Sequence, residues 1–379
     1  MSKLITVSLF SGCGGSDIGA KNAGAEIIFV NDNSADAIET YKKYKHLVGV
    51  DGTEIKKGDI ADIKSFPPCD LLIGCYPCQS FTMGGPRSPD DDPRTDLYLE
   101  FKKCLAYSNP LFFVTENVPG LAWLNGGSYL KKQLENFCEA GKGYYVSLEI
   151  VNAKEYGVPQ DRKRLFLVGV RRDLGLYYHF PNPTHGPSGS GLLPFASHGD
   201  AISGLPIEAD GEYYNYPAEP FSWWYMSRNR KRKWQDPSYT IQANWRHVPL
   251  HPASHTMHMI ESNLKDGFKQ CWEFTNDYEH LEGCPQRPKL EKPRRLSWRE
   301  CAAIQTFPPG FEPNGSIASK YRQIGNATPP LLMEVIMRGI VAGTSFKLEP
   351  FKPKNKSFTN FPVAYSPGSV FGTIPTTDI

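Results

Sequence analysis

The sequence predicts an α/β fold, a mostly parallel sheet joined to a second, smaller and irregular domain, on three observations. Short apolar, β-prone runs alternate with helical stretches as far as Phe180. The first of these runs, LITVSLF at 4–10, passes at once into SGCGGSDIG, giving strand, glycine turn and helix in succession. From Phe180 to about Pro293 the chain becomes rich in Pro, Gly, His and aromatics and loses helical periodicity.

At 379 residues the chain is long enough for two domains, and 40% hydrophobic with 22% charged residues is the composition of a soluble globular protein rather than a disordered one. A net charge of +2 neither demands nor excludes a polyanionic partner. Nine cysteines, an odd number at irregular spacing, and an N-terminus without a basic flank or long apolar run point to a reducing, cytoplasmic setting. No run of about 18 apolar residues is present, so no membrane span is expected.

Within the first region, Gly12, Gly14 and Gly15 allow a tight turn and close approach to a ligand, and the helix that follows offers unpaired N–H groups. The match to the dinucleotide fingerprint G-x-G-x-x-G is loose, and the phosphate loop G-x-x-x-x-G-K-[ST] is absent. The next strand, EIIFV, ends at Asn31 and Asp32, about twenty residues on, where nucleotide-binding folds place an acid for ribose hydroxyls. Asp32 reads equally as the N-cap of SADAIETYKKY. After the turn DGTEIKKGD come Asp59 and Ile60, just past another strand end.

LLIG reads as a buried strand that delivers Cys75, Pro77 and Cys78 to the same edge. An isolated cysteine is as a rule a buried, inert thiol. Behind a proline, at the C-terminal end of a strand in an open α/β sheet, Cys78 is instead placed for chemistry. The C-x-x-C of Cys75 and Cys78 also admits a redox or zinc reading, for which Cys271 and Cys284 supply no second C-x-x-C. An acidic loop then leads into an amphipathic helix with Leu97, Phe101 and Leu105 on one face. PLFFVTENV is a strand ending in Glu116 and Asn117, and two more strands follow, the second preceded by Arg162, Lys163 and Arg164.

In the irregular region, RNRKRKWQDPSYTIQANWRHVPLHPASH interleaves basic residues with aromatics. Arg228, Arg230, Lys231 and Arg246 suit phosphate contacts or base edges, although a charge run is more often a solvated face. Histidines 247, 251, 255 and 258 are interrupted by Pro249 and Pro252 and lack a thiol pattern, so no metal is expected. RRLSWRECAAIQTFP carries a capping-box spacing from Ser297 to Glu300. Gly325 and Asn326 are expected to form a turn before a long apolar helix, and the last 35 or so residues to be a poorly ordered or docked tail.

Taken together, FSGCGGSDIG, GCYPCQSFT, ENV, QDRKR and GNATPP resemble, in this order along nearly the whole chain, the motifs of the C5-cytosine-specific DNA methyltransferases. Departures from the family pattern are few: Cys75 where a small residue is usual, Asp32 where Glu is commoner, and RTDL in place of an Arg-Gly start. No Asp-Pro-Pro-Tyr or Asn-Pro-Pro-Tyr is present, which sets the chain apart from amino-group methyltransferases. The resemblance implies a Rossmann-like methyltransferase domain at 1–183, a target-recognition domain at 184–293, a return to the first domain at 294–345 and a tail at 346–379.

The implied reaction is methyl transfer from S-adenosylmethionine to carbon 5 of a flipped cytosine in duplex DNA, leaving S-adenosylhomocysteine. Cys78 would be the nucleophile, Glu116 the acid at ring nitrogen 3, and Arg164 the cation at the carbon-2 oxygen, with Arg162 beside it structural or phosphate-facing. Phe10, Gly12, Gly14, Gly15, Asp32, Asp59, Ile60, Pro77, Leu97 and Asn326 would hold the donor, and Gln79 and Ser80 would touch DNA. The loop SFTMGGPRSPDDDPR is expected to close on DNA from one side. A monomer in the prokaryotic cytosol or nucleoid, working beside a restriction endonuclease or in related defence, is the expected setting. The rival readings are an RNA methyltransferase using the same loop, an inactive DNA-binding relative, and a nicotinamide dehydrogenase resting only on the glycine turn and Asp32.

Overall fold

The computed structural model describes residues 3–77, 93–209, 221–263, 269–279 and 288–354. The chain divides into two units, one formed by 1–152, 163–183 and 328–379, the other by 153–162 and 184–327. Residues 294–327 therefore group with the irregular region.

Unit 1 is built on a seven-stranded sheet. Its strands are β1 (Ile5–Leu9), β2 (Glu26–Asp32), β3 (Glu54–Lys57), β4 (Leu71–Gly74), β5 (Phe112–Asn117), β6 (Tyr144–Asn152) and β7 (Lys163–Arg171). They lie in the order β3-β2-β1-β4-β5-β7-β6. The first five are mutually parallel, and β7 inserts antiparallel between β5 and β6. Every residue of β4 and β5 is buried, which is why both read as unbroken apolar runs. Helices α1 (Gly15–Asn22), α2 (Ala35–Lys43), α3 (Leu97–Ser108) and α4 (Ser128–Cys138) complete the α/β pattern.

The spacing of α3 delivers Phe101 and Leu105 fully into the core, with Leu97 packed at its edge. Phe101, Phe113 and Phe137 meet edge to face at 5.5–5.9 Å. Each such ring contributes about 1.5–3 kcal/mol by burial alone. Gly74 is required here, since a Cβ on it would lie 2.3 Å from the Phe101 ring. The closing helix, Pro330–Val341, packs on α1. Beyond it the chain docks on unit 1: Phe346–Lys347 pairs antiparallel with Tyr177–Tyr178, Phe346 stacks on Phe112 at 4.8 Å, and buried Phe351 packs on Phe180. The tail from 355 onward lies outside the described residues.

Unit 2 contains the hairpin of β8 (Met257–Asn263) and β9 (Lys269–Phe274) and the helices α5 (Trp298–Ile304) and α6 (Ile317–Asn326). The expected capping box forms at α5, with Ser297 Oγ accepting from Glu300 N and Glu300 Oε2 accepting from Ser297 N. Gly325 and Asn326 are not a turn but the last residues of α6, and Gly325 is small because the backbone of Gln242 and Ala243 approaches to within 2.4–2.5 Å of where a Cβ would lie. Three of the four histidines have partners of their own: His251 faces Glu300, His255 packs on the Tyr278 ring and His258 faces Glu273.

Candidate active site

The glycine turn joins the C-terminal end of β1 to α1. Phe10 adopts a left-handed conformation (φ 56°), as do Gly12 (φ 55°) and Gly14 (φ 90°), so the chain reverses sharply within five residues. The reversal is pinned to the neighbouring strand: Ser11 N donates to Asn31 O, and Gly12 N donates to Asp32 Oδ2 at 2.9 Å. Around the missing Cβ of Gly12 nothing lies within 4 Å, leaving room for a ligand against the backbone. Phe10 packs edge to face on Tyr76, whose hydroxyl donates to Gln133.

Asp32 also accepts from Ser34 N, while Ser34 itself caps α2, so the N-cap alternative for Asp32 does not hold. Asp59 caps a single 3-10 turn through Ala61 N, which seats Ile60 in the core. These residues share one edge of the sheet because each follows the C-terminal end of a parallel strand, where open α/β sheets bind ligands. Pro77 follows β4 on the same edge, and Leu97 opens α3. Cys78, Gln79, Ser80 and most of the acidic loop lie outside the described residues. Asn326 closes α6 in unit 2.

One strand further along, β5 brings Glu116 to its end. In the antiparallel pairing Glu116 stands opposite Phe166, and Arg164 is two residues back on the same face, so the two side chains meet diagonally. Arg164 Nε lies 2.8 Å from Glu116 Oε1, both largely shielded from water. Burial lowers the Arg164 pKa, and the Glu116 charge opposes that shift. Between this pair and the glycine turn sits Cys75, its Sγ 3.7 Å from Thr328 Oγ1. Burial, then the Glu116 charge, pushes its thiol up to about 12, so Cys75 is protonated and inert at neutral pH.

The two arginines of QDRKR have different surroundings. Arg162 is 1% exposed, and its guanidinium donates to the carbonyls of Ile241, Gly325 and Ala327 within unit 2. That geometry matches its structural alternative and leaves the phosphate-facing one without support. Neighbouring Gln160 is also buried, bridging Gln305 and the Ile241 amide. Two residues expected on a nucleic-acid face are turned inward. Arg230 donates to Tyr225 O and His247 O over the Tyr225 ring, and Lys231 pairs with Glu279 at 3.6 Å. Both are under 10% exposed, so neither presents its charge to a partner. Arg228 and Arg246 are exposed, Arg246 lying over the Trp245 ring.

The sequence reading missed Asp17, Tyr41 and Thr328. Asp17 is fully buried beneath the glycine turn, and its position in the first turn of α1 is its only local signal.

The sheet order and the glycine turn make this a Rossmann-like α/β enzyme fold. More narrowly, the chain belongs to the C-5 cytosine-specific DNA methylases, whose family model matches residues 4–194 and 199–342. Among curated relatives it is 36% identical to the Type II methyltransferase M.BsuRI of Bacillus subtilis, over 93% of this chain and 83% of that one. It is also 36% identical to the Type II methyltransferase M.MthTI of Methanothermobacter thermautotrophicus, over 88% and 96% of the two chains. Solved structures with the same fold include the S. pombe Dnmt2 methyltransferase (TM-score 0.56, 19% identity, 90% of this chain and 98% of that one). The Entamoeba histolytica methyltransferase EhMeth is another (TM-score 0.59, 14% identity, 90% and 99%). No helix among the described residues is long and apolar enough to cross a membrane.

Proposed function

We propose that the chain methylates carbon 5 of a cytosine flipped from duplex DNA, with S-adenosylmethionine as donor and Cys78 as nucleophile, in a Type II restriction-modification setting. The observation that carries the assignment of roles is the buried Glu116–Arg164 pair at the strand end adjacent to the one that leads into Cys78. The open backbone at Gly12 and the carboxylates of Asp32 and Asp59 along one edge fit an adenosyl donor bearing an amino acid moiety. That donor supplies an electrophilic methyl group when bound.

Carbon 5 of cytosine is a weak nucleophile, so the ring must be activated. The Cys78 thiolate adds to carbon 6, Glu116 meets the charge that develops at ring nitrogen 3, and Arg164 holds Glu116 while facing the carbon-2 oxygen. After methyl transfer the carbon-5 proton is lost and the thiolate leaves. Flipping costs about a few kcal/mol of unstacking. Arg228 and Arg246 are the DNA-facing cations that remain of the four first considered. Arg162 keeps a structural part rather than a catalytic one.

Transfer of labelled methyl groups to mixed-sequence duplex DNA and to transfer RNA, by wild type and Cys78→Ala, tests this reading. Label recovered as 5-methylcytosine in DNA and lost in the variant is the expected result. Label in RNA alone would replace the substrate class.

A further inference from the structure

Beneath the glycine turn lies a carboxylate that the chemistry above does not use. Asp17 accepts hydrogen bonds from Ser8 Oγ at 2.7 Å, Tyr41 OH at 2.8 Å and Ser16 Oγ at 3.1 Å, and it is 0% exposed. All three donors are neutral hydroxyls, and among the described residues no lysine or arginine forms an ion pair with it. Burial raises its pKa to about 6, so at neutral pH the group is charged in spite of its surroundings.

The groups facing it add no positive charge. Asp32, from the end of β2, repels it. Cys13 in the turn and Cys75 after β4 have thiols pushed up to about 12 chiefly by burial, with the Asp17 charge adding in the same direction. Tyr41 on α2 is likewise kept protonated. On α1 itself Lys21 is directed to His46 O and Gly49 O, and from the closing helix Glu334 is held by Asn22 and Arg338. Asp32 is half-buried, bonded to backbone N–H groups, and without an ion-pair partner among the described residues. A buried and a half-buried carboxylate at one turn, each hydrogen-bonded and neither ion-paired among the described residues, make a negative field that a cation relieves and a neutral molecule does not.

We propose that Asp17 is a positioning and electrostatic residue for the methyl donor, its carboxylate acting with Asp32 to favour the sulfonium cation of S-adenosylmethionine over the neutral thioether of S-adenosylhomocysteine. The inference rests on the reading of the glycine turn as the donor site. Asp17 also steadies that turn through Tyr41, whose ring would lie 3.2 Å from a Cβ on Gly14. Discrimination by charge lets product leave after the methyl group, and with it the positive charge, has gone.

The test is equilibrium binding of both molecules at pH 8 to wild type and Asp17→Asn, with thermal unfolding of each protein alone. The expected result is a fall of about fivefold or more in the preference for S-adenosylmethionine, at nearly constant affinity for S-adenosylhomocysteine. The unfolding midpoint should stay level or rise, because a buried uncompensated charge is gone. Tyr41→Phe, which removes a hydrogen bond and keeps the charge, should retain the preference. Equal weakening of both molecules by Asp17→Asn, with a lower midpoint, would make Asp17 purely structural and overturn the proposal. Should that variant fail to fold, wild type from pH 8 to pH 5 decides: the preference is expected to fall as the carboxylate protonates, and a flat profile overturns it. Binding of neither molecule to wild type would instead remove the donor-site reading.

Discussion

Arg164 Nε lies 2.8 Å from Glu116 Oε1 across two antiparallel strands, and the two side chains are only 13% and 8% exposed. A carboxylate this shielded needs its counter-charge, and the arginine needs an acceptor. Removing either partner strands the other in a poorly solvated site, a loss of about 3–5 kcal/mol. The pair therefore holds the fold and the proposed chemistry in one contact.

Glu116→Gln is expected to slow methyl transfer on the order of 10²- to 10⁴-fold while donor binding stays within a few-fold, since in the proposed reaction the carboxyl acts on the ring and not on the donor. Arg164→Ala should lower urea stability by about 3–5 kcal/mol as well as activity, and adding Glu116→Gln to it should restore part of that stability. Donor affinity measured beside labelled-methyl transfer separates the two effects. Near-wild-type transfer by Glu116→Gln would remove Glu116 from the chemistry.

Arg162 should behave in the opposite way. Its guanidinium bonds three carbonyls of unit 2, and Arg162→Ala would take that donor from Ile241 O and Gly325 O while Ala327 O keeps Gln305 Nε2 at 3.2 Å, at a cost of about 2–4 kcal/mol. Urea unfolding should reveal that loss, while transfer per folded molecule at low temperature changes only severalfold. A rate loss as large as that of Glu116→Gln, with unchanged stability, would return Arg162 to the reacting ring.

These assignments indicate what could be read from the chain alone. Strands β1, β2, β4, β5 and β7, helix α3 and the Ser297–Glu300 box were legible because each is written in local periodicity or local capping chemistry. That Gly12, Asp32 and Asp59 share one edge was legible because strand ends in a parallel sheet converge. What stayed hidden depends on distant partners. Gly325 looked like a turn glycine, but its smallness answers to the backbone of Gln242 and Ala243, some eighty residues earlier. Arg230 and Lys231 belong to a charge run that reads as solvated, yet Tyr225 and Glu279 draw them inward. Asp17 found Tyr41 only once α1 and α2 had packed.

Unit 2 carries its own acid sensitivity. His198 is 1% exposed, donates through Nδ1 to Asp236 O, and has a pKa lowered to about 4, chiefly by burial. In the unfolded chain it titrates near 6.5, so between about pH 6.5 and 4 the unfolded state binds the proton and the native state does not. The stability present above pH 6.5 is then lost on acidification, by about 2 kcal/mol at pH 5 from this residue alone. Buried His251 is lowered for the same reason and acts in the same direction. Glu300, held down to about 2 by Arg294 and His251 against its burial, loses its contribution only below about pH 4.5. Urea unfolding at pH 7 and pH 5 should differ by at least the His198 amount, and His198→Gln should shrink the difference. Equal stability at the two pH values would show that His198 titrates normally.

Unit 2 also presents an exposed aromatic and basic surface, which we propose meets DNA. Trp223 and Trp224 are 73% and 50% exposed and pack edge to face on each other, on a turn fixed by Ser222 Oγ accepting from Tyr225 N and by Tyr225 OH donating to Val248 O. Beside them in the fold, Arg295 lies over the rings of Phe221, Tyr225 and Trp245, and Arg246 over Trp245. Two indoles left in water on a rigid support, next to stacked arginines, suit contact with bases or sugars in a way that scattered surface aromatics do not. Trp223→Ala should weaken DNA binding by about 1–3 kcal/mol, with little change in the salt dependence. Arg246→Ala should reduce the salt slope by about one unit if it meets a phosphate. Binding isotherms at several salt concentrations test both, alongside donor affinity as a control for folding. A Trp223→Ala protein that binds cognate DNA as wild type does would place the recognition surface elsewhere in unit 2, because an indole 73% exposed has little packing to lose.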